Sequence, residues 1–131
     1  MNEKIIEIIQ PDDWHTHLRE GDILKTVLKF SSRINNRCIA MPNLHNPITS
    51  SSLAIKYIHE IKKYFTSKEF TPLIPCYLTD KMDLIDFDKG LKNEIFVGAK
   101  LYPQNSTNNS SNGVTKLENI FPALEILEKR D

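Results

Sequence analysis

Short apolar runs alternate with amphipathic helical patterns along this chain, at roughly thirty residues per unit, and that rhythm constrains the fold more than any other feature. Ile5, Ile6, Ile8 and Ile9 form a β-branched run that reads as a first strand. Gly21-Asp22 then offers a turn and an N-cap, and Ile23, Leu24, Val27, Leu28 and Ile34 recur near helical spacing up to Asn35-Asn36. Arg37 to Pro42 reads as a second strand. Thr49 to Ser52 supplies capping hydroxyls for a helix carrying Leu53, Ala54, Tyr57, Ile58, Ile61 and Phe65. Phe70 to Leu78 predicts a third strand, interrupted by two prolines. Asp83 to Leu91 is a shorter helix ending at Asn93, and Ile95 to Tyr102 is a fourth strand closed by Pro103. Gln104 to Gly113 is wholly polar and predicts a mobile loop. Thr115 to Glu118 matches a capping box for a last helix through Leu117, Ile120, Phe121, Leu124 and Leu127, where Pro122 fits only if the helix begins late or kinks.

The order β-α-β-α-β-α-β-α is that of a parallel α/β protein, and both a doubly wound sheet and a (β/α)8 TIM-type barrel accommodate it. A complete barrel needs about 250 residues. With 131 residues the chain holds the first four β/α units, half a barrel, and residues 1–131 read as part of a single domain without repeat or linker.

Composition narrows the classes of function. Seventeen basic and seventeen acidic side chains give zero formal charge, so no basic field draws nucleic acid or an anionic membrane. No apolar run approaches the roughly eighteen residues a membrane span requires. Met1 to Lys4 and the isoleucines behind them resemble neither a signal nor a transit peptide, which predicts a cytoplasmic protein. Cys38 and Cys76 sit in separate apolar runs and read as buried free thiols.

The chemistry is concentrated at the C-terminal ends of the predicted strands, where parallel α/β folds build their sites. The first strand leads into Pro11-Asp12-Asp13-Trp14-His15-Thr16-His17-Leu18-Arg19. In extended backbone residues i and i+2 share a face, so His15 and His17 can address one metal ion. Arg19 continues the parity and sets a guanidinium beside them that can clamp a carboxylate. Asn43 follows the second strand, Tyr77 and Thr79 close the third, and Lys100 and Tyr102 the fourth. Lys100 is open to two readings: a side chain snorkelling from a strand end, or an amine of lowered pKa that takes up carbon dioxide and bridges two metals as a carbamate.

The segments PDDWHTHLREGD, MPN, FTPLIPCYLTD and AKLYPQNSTNNSSNGVT, in this order and nearly this spacing, resemble the N-terminal part of bacterial dihydroorotases of the shorter, pyrimidine-biosynthetic type, within the amidohydrolase superfamily. The resemblance runs over essentially the whole chain. It implies a (β/α)8 barrel with two zinc ions and the reversible cyclisation of N-carbamoyl-L-aspartate to dihydroorotate. His15 and His17 resemble ligands of the more buried zinc, and Lys100 the carboxylated lysine that bridges both metals. Arg19 and Asn43 resemble the pair that holds the substrate carboxylate, and the loop around Thr107 the one that closes over it, with Asn108 where a second threonine is expected. Homodimerisation is also what the resemblance suggests. Two further histidines and the acid/base aspartate are expected beyond residue 131, so the isolated chain is expected to be inactive. His45 and His59 are poor substitutes. Another cyclic amidase, of hydantoinase or allantoinase type, and a non-enzymatic half-barrel that binds a partner are the alternatives.

Overall fold

The computed structural model describes residues 5–65 and 70–130; Met1 to Lys4 and Asp131, on which two of the expectations above rest, lie outside them. Its elements are β1 (Asp12–Thr16), α1 (Gly21–Ile34), β2 (Arg37–Ala40), α2 (Ser51–Lys62), β3 (Thr71–Leu73), β4 (Cys76–Tyr77), α3 (Leu84–Lys92), β5 (Ala99–Lys100), a 3-10 turn (Leu117–Ile120) and α4 (Phe121–Glu128). All strand pairs are parallel, in the orders β1-β2-β3 and β4-β5. Neighbours in the chain are therefore neighbours in the sheet, as β/α units stepping in one direction require.

The helices form where capping and periodicity place them. Ser50 accepts from Leu53 N–H at the start of α2, and Asp83 accepts from Ile85 and Asp86 N–H at the start of α3. The buried stripe of α1 (Leu24, Leu28) and that of α2 (Ala54, Tyr57, Ile61) pack with Cys38 and Ala40 of β2 into one core. Pro122 sits in the first turn of α4, where its missing N–H costs nothing. The expected capping box does not form, because Thr115 spends its hydroxyl on Asp80 instead.

The strands differ more from expectation. Ile5 to Ile9 are not a strand: their isoleucines are 74% to 94% exposed, and β1 begins only at Asp12. A strand exists through its partner, and pairing starts where Arg37 N–H and guanidinium Nε both reach the Asp12 carboxylate at 3.1 Å. The third strand is split at Pro75 into β3, which pairs with β2, and β4, which pairs with β5. The break lets one stretch serve two neighbours in stagger, as closing a sheet demands. The fourth strand shrinks to Ala99–Lys100, because Phe96 turns into the core against Phe87. Gly90 makes room for it: a Cβ there would stand 2.5 Å from the Phe96 ring.

Candidate active site

β1 delivers its histidines through an irregularity. Asp13 pairs with Cys38 and Thr16 with Ala40, so Trp14 and His15 together oppose the single residue Ile39. That is a β-bulge, with one extra residue on β1. The His15 and His17 rings lie 5.2 Å apart, centroid to centroid, and tilted by 54°. Extended geometry does not persist to Arg19, contrary to the parity expectation. Its φ of 62° is left-handed, and its carbonyl accepts a 2.8 Å hydrogen bond from the Tyr57 hydroxyl. The chain thus swings from strand to helix α1 within four residues, and Arg19 is aimed by that turn rather than by strand alternation.

The remaining groups arrive from the other strand ends. Asn43, 1% exposed, follows β2 and lies beside His17. Its Nδ2 donates to Asn108 C=O at 3.1 Å, and its Oδ1 accepts from the Tyr102 hydroxyl at 3.2 Å. Tyr77 of β4 stacks on Tyr102 with centroids 5.2 Å apart, and its hydroxyl donates to Asn109 C=O at 3.3 Å. Lys100, the last residue of β5, is half-buried with Nζ 5.5 Å from the Tyr102 ring centroid. Sequence reasoning marked Tyr102 only by position. Its pairing with Asn43 spans 59 residues of chain and leaves no local signal.

The polar loop from Gln104 to Gly113 is folded down over this end of the sheet. Asn109 Nδ2 donates to Asn43 C=O at 3.0 Å, and Thr107 N–H donates to the buried Ser110 hydroxyl at 2.9 Å. Asn105 and Asn109 take left-handed φ values, which asparagine tolerates. Gly113 packs so closely on Tyr102 C=O that no Cβ fits. The expected mobile loop is therefore a tethered one, although the Thr107 side chain itself is exposed.

Electrostatics mark His17 as the centre. Burial lowers its pKa most, the positive charges of Arg19, His15 and Lys100 lower it further, and neighbouring Asn43 opposes them. The result favours the neutral imidazole, the form that ligates a metal. His17 Nδ1 is buried and has no hydrogen-bond partner among the described residues. A buried, unpartnered nitrogen on a neutral imidazole is a donor atom of the kind that ligates a metal. Among the described residues no three His, Cys, Asp or Glu side chains converge on one point. His45 and His59 are exposed, in the loop after β2 and on α2. No helix among the described residues is long and apolar enough to cross a membrane.

The fold and the site define a class: a parallel α/β protein whose histidines, arginine, asparagine and lysine gather at the C-terminal strand ends, where TIM-barrel enzymes build their sites. Comparison with known proteins takes this further. No family model matches the chain. It is 48% identical over 127 residues to the dihydroorotases of Salmonella arizonae and Salmonella heidelberg, covering 96% of itself and 36% of each. Its structure superposes with a TM-score of 0.82 on the dihydroorotase of Campylobacter jejuni (29% identity, 92% of this chain and 36% of that one). On the Saccharomyces cerevisiae dihydroorotase in complex with 5-fluoroorotic acid the TM-score is 0.81 (25% identity, 92% and 33%). The chain is similar to dihydroorotases over nearly all its own length and spans about a third of theirs.

Proposed function

We propose that this chain is the N-terminal part of a dihydroorotase, residues 1–131 of a single (β/α)8 barrel that interconverts N-carbamoyl-L-aspartate and dihydroorotate in pyrimidine biosynthesis. The observation that carries the reading is the convergence on His17 of Arg19, Asn43 and Lys100 from three different strand ends, around an unpartnered buried ring nitrogen. The 48% identity to dihydroorotases supports it.

His15 and His17 would hold one zinc ion, and Lys100, as a carbamate, would bridge it to a second. The carbamate forms when the neutral amine adds to carbon dioxide and releases one proton, which turns a cation into an anionic ligand. Such a centre, when bound, supplies Lewis-acid activation of water and of the ring amide carbonyl. The chain's own residues do the rest. Arg19 fixes the substrate carboxylate bidentately, Asn43 holds it from the end of the neighbouring strand, and the loop around Thr107 excludes water. The remaining histidine ligands and the aspartate that moves the proton to and from the ring nitrogen belong to later strands. The complete protein is cytoplasmic and dimeric in this reading, and its partner is a small molecule.

The test is the full-length protein expressed from its gene. Interconversion of dihydroorotate and N-carbamoyl-L-aspartate with two zinc ions per subunit is expected. Turnover of hydantoin or allantoin in preference to dihydroorotate would overturn the reading.

A further inference from the structure

The bulge in β1 decides which way the metal-binding motif faces. In a parallel pair, partnered residues share a face, so Asp13 and Cys38 lie together, as do Thr16 and Ala40. Cys38 and Ala40 belong to the core with Leu24 and Leu28 of α1, so this is the helix-packed face. Asp12 lies on the other face, its carboxylate paired with Arg37, whose guanidinium stacks 5.2 Å over Trp14. Counting forward from Asp13 without interruption would place His15 and His17 on the helix-packed face, and Thr16 and Leu18 opposite. The structure has the reverse: Thr16 and Leu18 are buried, and the histidines face the open side with Asn43, Arg19 and Lys100 near His17. One extra residue, Trp14 with His15 against Ile39, inverts the parity.

A bulge frees a backbone N–H from the ladder, and something must take it. The Asp13 carboxylate does, accepting His15 N–H at 2.9 Å across the bulge. The ladder resumes immediately after, with Met41 N–H donating to Thr16 C=O at 2.8 Å. The contact of Asp13 with the motif is thus the hydrogen bond that it accepts from the backbone of His15.

We propose that Asp13 is a positioning residue for the metal centre: its carboxylate oxygen holds the β1 bulge that turns His15 and His17 away from the helix-packed face and toward Lys100. The inference rests on the metal-binding reading above, and its test separates the two. Zinc affinity of the full-length protein is measured by chelator competition for wild type, Asp13→Ala and Asp13→Asn, with the cobalt-substituted spectrum as a report on ligand geometry. Asp13→Ala should lower affinity by about 10- to 100-fold, the usual effect of losing a group that orients a ligand, and alter the cobalt spectrum. Asp13→Asn keeps an acceptor oxygen and should stay within about threefold of wild type. Wild-type affinity in Asp13→Ala, or equal losses in both variants, overturns the proposal. Should Asp13→Ala not fold, Asp13→Asn decides alone, and a loss there of about tenfold or more overturns it. If wild type binds no zinc, the metal reading fails, while the bulge is judged on the metal-free protein. There the His15 amide should exchange slowly in wild type and Asp13→Asn and at least about tenfold faster in Asp13→Ala. Equal exchange in all three removes Asp13 from the role.

Discussion

Replacing Asn43 by alanine tests whether the loop over the strand ends is held by this side chain. Asn43 is 1% exposed, and its amide makes two hydrogen bonds, to Asn108 C=O and from the Tyr102 hydroxyl. Each such bond contributes a net of about 0.5–1.5 kcal/mol, and a buried donor or acceptor left without a partner costs about 1–3 kcal/mol. Asn108 is at the surface and can turn to water, whereas the Tyr102 hydroxyl is confined beneath the loop on the Tyr77 ring. One stranded hydroxyl and two lost bonds give a destabilisation of about 2–6 kcal/mol for Asn43→Ala. Urea unfolding followed by circular dichroism measures it, and Tyr102→Phe completes a double-mutant cycle. With the hydroxyl already absent, Asn43→Ala should cost about 1–2 kcal/mol less, because the stranded group is gone. Proteolysis within residues 104–113 should accelerate in step. A loss under about 0.5 kcal/mol, or strict additivity with Tyr102→Phe, would refute the view that Asn43 ties the loop down.

The other predictions concern the site, the loop and the core. Lys100→Ala in the full-length protein should abolish two-metal binding, and metal analysis showing both ions retained would sink the bridging role. Arg19→Ala should mainly raise KM, because alanine meets the same left-handed backbone and only the guanidinium is lost; an unchanged KM would remove Arg19 from carboxylate binding. Gly113→Ala would press a Cβ onto Tyr102 C=O and to within 2.9 Å of Ser110 C=O, so calorimetry should register a loss of about 1–3 kcal/mol. Burial pushes both the Cys38 and the Cys76 thiols up to about 12, so neither should react with a disulfide reagent at pH 8 until denaturant is added. Asp80 is held below its ordinary 3.8 by the Thr115 hydroxyl and N–H, so its contribution is present above about pH 4 and is lost as pH falls through the lowered folded value. Melting temperature against acid pH should therefore fall more steeply for wild type than for Asp80→Asn.

Much of the architecture was legible locally. Helix α3 begins and ends where its caps and periodicity place it, and α1 follows its apolar stripe, although it starts after Glu20 without a side-chain cap and takes the expected cap Asp22 into its first turn. The strands were not. Ile5 to Ile9 carry a strand-like composition and have no strand, while Asp12 and Asp13, poor strand formers, lie in β1 because Arg37 and Cys38 stand opposite them. The residues of the candidate site were recognisable as types at strand ends. Their arrangement depended on contacts between segments tens of residues apart, such as Asn43 with Tyr102 and with Asn108.

By itself the sequence determined the β/α order, the end of the sheet where polar and ligand-type side chains gather, and the His-x-His-x-Arg run and lysine found there. These follow from residue type and spacing, which local backbone geometry translates directly. Only the tertiary structure decided that Arg19 leaves the strand, that the polar loop is anchored, and that a single extra residue in β1 turns both histidines outward from the helices. Each of those depends on which backbone group finds which partner across the sheet, and strand pairing is a property of two segments rather than one.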